Sequence, residues 1–298
     1  MTSPSLQLEL LTLDLKPRQY QASKPAELIQ VRGHEELTLN ARRMITVLWH
    51  QAHLQGIKEG KDYTAEIDDL KPDGHKGYEM VEEGIESLMR TLLVVRNSNG
   101  GTIRVQFLGG NDLDDPRRQA GVLTYSFDKR LIQVLQDSRV WGKIQIPVLM
   151  AFSSRYAVSL YENIAQMAGL KIKQYHDYSL EEFRELLGIP PGKYITFGAL
   201  NKHVIKRAVE EINGLATFTV SLLPIKQGKK VTSLKVCWSQ KSEAELQQTF
   251  AELNRPKVGR RARIANAVEY VAEVAPSSNR IRRKAGSSLR SPKPVLCG

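Results

Sequence analysis

The sequence has only two cysteines in 298 residues, Cys237 and Cys297. Two thiols cannot build a disulfide framework, and without histidines at ligand spacing they do not make a zinc site. The pair fits a reducing cytosol. Long apolar runs are also missing. None approaches the roughly 20 residues needed to span a bilayer, and the first nine residues lack the basic and apolar regions of a secretory signal. No G-x-x-x-x-G-K-[ST] phosphate cradle occurs: Gly188 to Lys193 is one residue too short, and Tyr194 follows. His50 and His53 read H-x-x-H with no third ligand nearby, so no metal is expected there. No Ser/His/Asp arrangement is readable. These absences argue against an enzyme and against a bound cofactor.

Hydrophobic residues make up 41% and charged residues 25% of the chain, a normal globular balance with room for two domains. What is unusual is where the charge sits. The formal net charge is +11. Residues 1–153 carry 19 Lys/Arg against 20 Asp/Glu, and residues 154–241 carry 13 against 7. Residues 242–254 carry none against 3, and residues 255–298 carry 11 against 2. A polyanion would be drawn to the C-terminal half.

Residues 1–36 are polar, with Pro4, Pro17 and Pro25, and read as an arm. Met44, Ile45, Val47, Leu48 and Ala52 then recur at helical spacing, with Gly56 and Gly60 to end the helix. Tyr78, Val81, Ile85 and Leu88 mark a second helix. It runs into a strand at 92–96, a turn at 97–101 and a returning strand at 102–108; residues 109–118 read as a loop. A strand at 121–127 and a short helix at 129–136 follow. A helix followed by a two-stranded hairpin is the outline of a winged helix, predicted over 37–148.

The outline returns over 149–241. Tyr156, Ala157, Leu160, Tyr161, Ile164 and Met167 give a helix over 154–168. Ser179 and Glu182 form a capping box for the next helix, which Gly188 ends. Thr196 caps a third helix to about Asn213, with Gly214 as its stop. Strands at 216–224 and 231–238 flank a turn at 226–230. Ser242 and Glu245 cap a connecting helix to 253. Ile264, Val268, Val271 and Val274 fit a short amphipathic helix, and the rest of 242–298 is a basic tail whose composition predicts disorder. The fold class is therefore α+β: two tandem winged helices and a basic tail.

The third helix of the second unit is the candidate reading head. Phe197, Leu200, Val204, Ala208 and Ile212 form its core face. Gly198, Ala199, Lys202, His203, Lys206 and Glu210 lie opposite, with Arg207 at the edge. Gly198 and Ala199 leave the N-terminal end bare, so backbone N–H groups can approach a phosphate. Lys202, His203, Lys206 and Arg207 are placed to reach base edges and phosphates. Lys226, Lys229 and Lys230 put three lysines at the hairpin turn, point charges suited to phosphate more than to base discrimination. Taken singly, each feature also fits a solvated polar surface; their succession in one helix–hairpin unit favours double-stranded DNA. The matching helix of the first unit exposes Glu79, Glu82, Glu83 and Glu86, which would repel phosphate, so that unit is assigned to dimerisation or partner contact. Arg260, Arg261, Arg263, Arg280, Arg282, Arg283 and Lys284 of the tail are assigned to non-specific DNA affinity, against the plain alternative of an unstructured end.

The second unit resembles the C-terminal winged helix of iteron-binding plasmid replication initiators of the Rep_3 type, also described as RepA/RepB-like. The resemblance lies in Ser154-Arg155-Tyr156-Ala157 with Leu160-Tyr161-Glu162, in 180–188 with Tyr194, and in Phe197-x-x-Leu200-x-x-x-Val204-Ile205-x-x-Ala208-x-x-Glu211-Ile212-Asn213. It implies a plasmid or phage initiator in the bacterial cytoplasm that binds direct repeats at an origin. It further implies opening of adjacent DNA, recruitment of a host initiator and replicative helicase, and a homodimer that represses its own gene. A winged-helix repressor without initiator activity would make the same contacts. A rolling-circle nicking enzyme would need a His-hydrophobe-His pair, which is absent from the sequence.

Overall fold

The computed structural model describes residues 21–265, apart from 73–76, 97–99, 118 and 171–172. The basic tail beyond 265, with Val268, Val271 and Val274, and residues 1–20 of the N-terminal stretch lie outside the described residues.

The first unit is built around one helix. α2 (Leu39–Leu54) follows α1 (Ala26–Ile29) and starts where the Thr38 hydroxyl accepts from the Ala41 amide at 3.2 Å. Every residue from Ala41 to His50 is buried, so other elements cover the helix on all sides. α3 (Glu79–Arg90) packs along it. The hairpin of β3 (Leu93–Arg96) and β4 (Thr102–Val105) follows as expected. A three-stranded antiparallel sheet closes another side: β2 (Tyr63–Glu66), β6 (Val122–Phe127) and β5 (Leu108–Asn111), in the order β2-β6-β5. α4 (Lys129–Gln136) comes next, capped by the Asp128 carboxylate. Residues 109–118 are therefore not all loop. Their first part is the edge strand β5, anchored where the Thr124 amide donates to the Asp112 carboxylate at 2.7 Å.

The N-terminal stretch needs a larger correction. From Gln21 onward it is not an arm. β1 (Gln21–Pro25) pairs antiparallel with β7 (Trp141–Gln145), and Ala22, Lys24, Leu28, Ile29 and Val31 are buried. Polar composition misled because Lys24 is a core residue with a partner 138 positions away.

The second unit begins with α5 (Ile146–Ala151) and α6 (Arg155–Leu170). β8 (Tyr175–Ser179) leads into α7 (Leu180–Leu187), whose capping box is present as expected: the Glu182 amide donates to Ser179 Oγ at 3.1 Å, and the Ser179 amide donates to Glu182 Oε2 at 2.9 Å. The third helix runs as α8 (Phe197–Leu200), a π-helical turn (Asn201–Ile205) and α9 (Lys206–Leu215). β9 (Phe218–Gln227) and β10 (Lys230–Gln240) complete a sheet of order β8-β10-β9. α10 (Glu243–Leu253) carries the second capping box. Gly214 is not the helix stop. It lies inside α9, where its missing Cβ leaves room for Ile264: one built there would come within 2.7–2.9 Å of three Ile264 side-chain atoms.

α6 joins the two units. All ten residues from 157 to 166 are buried, four of them polar. Buried polar groups are tolerated only when hydrogen-bonded, and these are. Arg155, Ser159, Glu162 and Gln166 recur at helical spacing along one stripe, and each meets the first unit. Arg155 donates to the Glu35 and Leu37 carbonyls at 2.8 and 3.3 Å. Ser159 Oγ accepts from Arg42. Glu162 accepts from Lys24 at 2.7 Å and from Thr46 at 2.8 Å. Gln166 accepts from Gln30 at 3.1 Å. On the far side Asn163 accepts from the Tyr178 hydroxyl at 2.7 Å, while Tyr161 stacks on Phe218 at 5.6 Å.

Burial lowers the Lys24 ammonium from its usual range, and Glu162 beside it opposes the shift. Removing one partner of such a pair strands the other charge. Glu162→Ala should cost about 3–5 kcal/mol in urea unfolding, and Lys24→Met with Glu162→Leu much less.

His34 lies beside this seam. Its Nε2–H donates to the Glu185 carbonyl at 3.1 Å, and its Nδ1 accepts from Arg42 at 2.9 Å. The bond from Arg42 requires the neutral ring, since a protonated Nδ1 has no lone pair to accept it. Burial first, then the Arg42 charge, pushes its pKa down to about 3. Gly188 closes the contact, with φ +62 and a Cβ position 2.5 Å from Arg42 Nη2. The unfolded chain takes a proton near pH 6.5, whereas the folded one does not until about pH 3. Stability from His34 is thus complete above about 6.5 and lost as pH falls toward 3, on the order of 5 kcal/mol in all. The stability gap between the native chain and His34→Gln should narrow steadily over that window in denaturant titrations.

Candidate nucleic-acid interface

α7, the turn at 188–196 and the third helix form a helix–turn–helix, and the β9–β10 hairpin follows it. Thr196 caps the third helix, its hydroxyl accepting from the Ala199 amide at 3.2 Å. Leu200, Val204, Ala208 and Ile212 are buried as the spacing predicts, and Ile205 joins them. Gly198, Lys202, His203 and Lys206 are exposed, and Ala199 is half-buried beside them. Lys202 and His203 sit on the π-helical turn, a wider turn of a kind found often at functional sites. The His203 ring is not loose: Tyr194 stacks on it at 5.8 Å with 21° between the planes. Lys206 has Glu210 at 4.0 Å, a pair too long and too exposed to hold it.

Arg207 is different. Its Nε–H points to the Glu211 carboxylate at 3.3 Å, and its Nη2 donates to Ser153 Oγ at 2.9 Å. The same carboxylate accepts from the Ser153 and Ser154 amides at 2.8 and 3.1 Å, ahead of the first turn of α6. Arg207 therefore ties α9 to the start of α6, and its guanidinium is only partly available to a ligand. The sequence pattern at 207 and 211 shows an i,i+4 pair; Ser153 as third member is visible only in three dimensions.

The hairpin stands clear of the core. Every residue from 224 to 230 is exposed. The turn is shorter than the sequence suggests, because strand pairing reaches Gln227 and Lys230. Gly228, at φ +62, takes the first turn position as a type II′ turn requires. Lys226 pairs with Val231 and Lys230 with Gln227, so Lys226 and Lys230 point to opposite faces, with Lys229 at the tip. A further basic pair has no signal in the sequence pattern: Lys173 and Lys235 both lie over the Tyr175 ring, at 5.8 and 4.5 Å.

Two of the tail arginines are not free for a polyanion. Arg260 is buried, with donors on Glu252 and on the Glu252, Leu253 and Arg255 carbonyls. Arg263 holds the same carboxylate at 2.7 Å. In the first unit, Glu79, Glu82, Glu83 and Glu86 are placed on α3 as expected, with Arg90 on Glu86 at 2.8 Å. Among the described residues no cluster of side chains suits a metal ion, and no helix is long and apolar enough to cross a membrane.

Two winged helices in series, joined through one buried helix, place the chain among tandem winged-helix proteins. Residues 21–165 match the family model described as Initiator Replication protein, WH1, and residues 179–238 the one described as Initiator Rep protein, WH2. The chain belongs to the initiator Rep protein family. Its fold is shared by the Pi initiator protein, solved in complex with iteron DNA, at a TM-score of 0.57 and 18% identity. That match covers 76% of this chain and 99% of the other. Domains 2 and 3 of RctB align at a TM-score of 0.40 and 13% identity, over 69% of this chain and 81% of that one. A search of curated proteins finds no match.

The Arg207–Glu211–Ser153 link predicts a stability effect. Glu211→Ala leaves two amides, the Ser153 hydroxyl and the Arg207 Nε–H without their acceptor and should cost about 1–3 kcal/mol in urea unfolding. Arg207→Ala removes a half-exposed ion pair and should cost about 1 kcal/mol or less.

Proposed function

We propose that this initiator binds direct repeats in the double-stranded DNA of a plasmid or phage origin, with α8–α9 in the major groove and the β9–β10 wing along the backbone. One observation carries the reading. The winged helix whose third helix exposes lysines without a carboxylate row is also the one whose hairpin tip carries Lys226, Lys229 and Lys230. In this reading Gly198 and Ala199 let the helix end approach a phosphate. Lys202, His203 and Lys206 reach bases and phosphates, and Arg207 steadies the helix. The iteron DNA bound to the Pi initiator protein supports the choice of ligand.

The acidic face of α3 makes the first winged helix a poor reader of DNA. We assign it to contact between two copies of the chain or with a host protein. Opening of neighbouring DNA, recruitment of a host initiator and helicase, and repression of its own gene from the bacterial cytoplasm follow from the family resemblance. A plasmid carrying this gene and its repeats should replicate in a bacterium that has no other plasmid initiator. Repeat binding without replication would leave a repressor.

Fluorescence anisotropy with repeat and scrambled duplexes tests the assignment. Lys202→Ala with Lys206→Ala should abolish the preference for the repeat. Replacing Lys226, Lys229 and Lys230 together should weaken binding to both duplexes. It should also flatten the slope of log K against log salt by about 0.9 for each phosphate that the wing no longer neutralises. Preference that survives the helix variant and disappears with the wing variant would reverse the assignment.

A further inference from the structure

Ile195 is 81% exposed, one residue before the cap of the third helix. Single exposed hydrophobic residues are ordinary. This one differs in what the backbone does to place it. Tyr194, directly before it, has φ +52, and among the described residues it is the only non-glycine at positive φ. For a residue with a Cβ that conformation costs about 1–3 kcal/mol and persists only when its surroundings enforce it. They do so here. Arg184 donates to the Tyr194 carbonyl at 2.9 Å and also to the Lys193 carbonyl. The Tyr194 ring stacks on His203 and meets Tyr156 edge-on at 6.5 Å. Pro190 and Pro191 stiffen the start of the turn. The result is a fixed loop that turns the tyrosine ring inward and the isoleucine outward.

The surroundings of Ile195 suit nucleic acid. Lys193 and Lys202 are near it in the chain, and no carboxylate occurs between Ile189 and Val209. A branched aliphatic group gains nothing from phosphate. In the major groove the one apolar group on a base edge is the C5-methyl of thymine. Ile195 is stiff at χ1, so holding it there costs little side-chain entropy.

We infer that Ile195 is a specificity-determining residue that packs on the C5-methyl group of one thymine in the bound repeat, with Tyr194 and Arg184 as the positioning residues that aim it. The inference rests on the DNA-binding reading above. It adds an apolar contact to an interface otherwise made of cations and one imidazole.

The test uses the full chain and a duplex that it enriches from a random-sequence pool. Each thymine is replaced in turn by deoxyuridine, which keeps the hydrogen-bonding edge and removes only the methyl. The native chain should bind about four-fold more weakly when one particular thymine is replaced, the worth of one buried methyl-sized group. Ile195→Ala should bind the parent duplex about four-fold more weakly and be indifferent to uracil at that same position, while Ile195→Val keeps most of the sensitivity. Arg184→Ala, folded by circular dichroism, should blunt the uracil effect at that thymine alone. Identical uracil profiles for the native chain and Ile195→Ala would overturn the inference while leaving DNA binding intact. So would an Ile195→Ala chain that no longer self-associates but keeps the uracil effect, since the side chain would then serve a protein contact. Enrichment of no duplex at all would instead remove the DNA-binding reading on which the inference stands.

Discussion

Lys24 and Glu162 meet at 2.7 Å in the interior, with Thr46 hydrogen-bonded to the same carboxylate oxygen. Neither charge has water to fall back on, so each tolerates only the position that satisfies the other. The ammonium belongs to β1 and the carboxylate to α6, which makes the pair a constraint between the N-terminal strand and the helix that leads into the second winged helix. Arg42 on Ser159 and Arg155 on two backbone carbonyls extend it along the same stripe of α6. A purely apolar seam could slide by a residue at modest cost. A seam of buried donors and acceptors has one register, because any shift strands several of them at once. The third helix packs against the same α6 and is placed with it.

The same rule sorts the cations. Where carbonyls or a carboxylate converge, arginine occupies the site and is withdrawn from the surface. Arg42 and Arg43 are buried among backbone oxygens and side chains, and burial lowers both guanidinium pKa values to about 10. Arg260 and Arg263 crowd onto Glu252, and Arg207 onto Glu211. The net charge of the C-terminal half therefore overstates what a polyanion meets there. Among the described residues of that half, the exposed cations are mostly lysines, on the third helix and at the wing, with Arg255 and Arg261 also outside.

The elements legible in the sequence were those whose signals are local. The Ser179/Glu182 and Ser242/Glu245 boxes each involve residues three apart, and both appear with the bonds their spacing demands. The core face of the third helix needs only its own period. The exposed placement of Lys202, His203 and Lys206 follows from that period, so most of the candidate site could be read. What could not be read depends on distant partners. β1 is polar by composition, yet Lys24 and Ser23 are held by Glu162 and Trp49. The stripe at Arg155, Ser159, Glu162 and Gln166 looks like a solvated helix face until the first unit is laid against it. Gly214 carries a stop signal, but Ile264 needs the space its missing Cβ leaves. Tyr194 gives no sequence sign of positive φ, because tyrosine adopts it only under tertiary compulsion.

Withdrawal of the arginines limits how the proposed interface can tell one DNA sequence from another. The commonest specific contact to a base pair is an arginine fork on guanine. On the third helix the one arginine, Arg207, already has its Nε and one terminal nitrogen engaged by Glu211 and Ser153. The wing lysines supply affinity with little geometric demand, since an ammonium on a long stem accepts many phosphate positions. Discrimination beyond that of Lys202 and Lys206 then comes from groups whose direction is fixed. His203, stacked against Tyr194, is one, and the outward-turned Ile195 beside the same tyrosine is another. Both depend on a ring held by Arg184 through backbone carbonyls. In the proposed interface, arginine contributes to recognition mainly from behind the surface, by fixing the residues assigned to face the DNA.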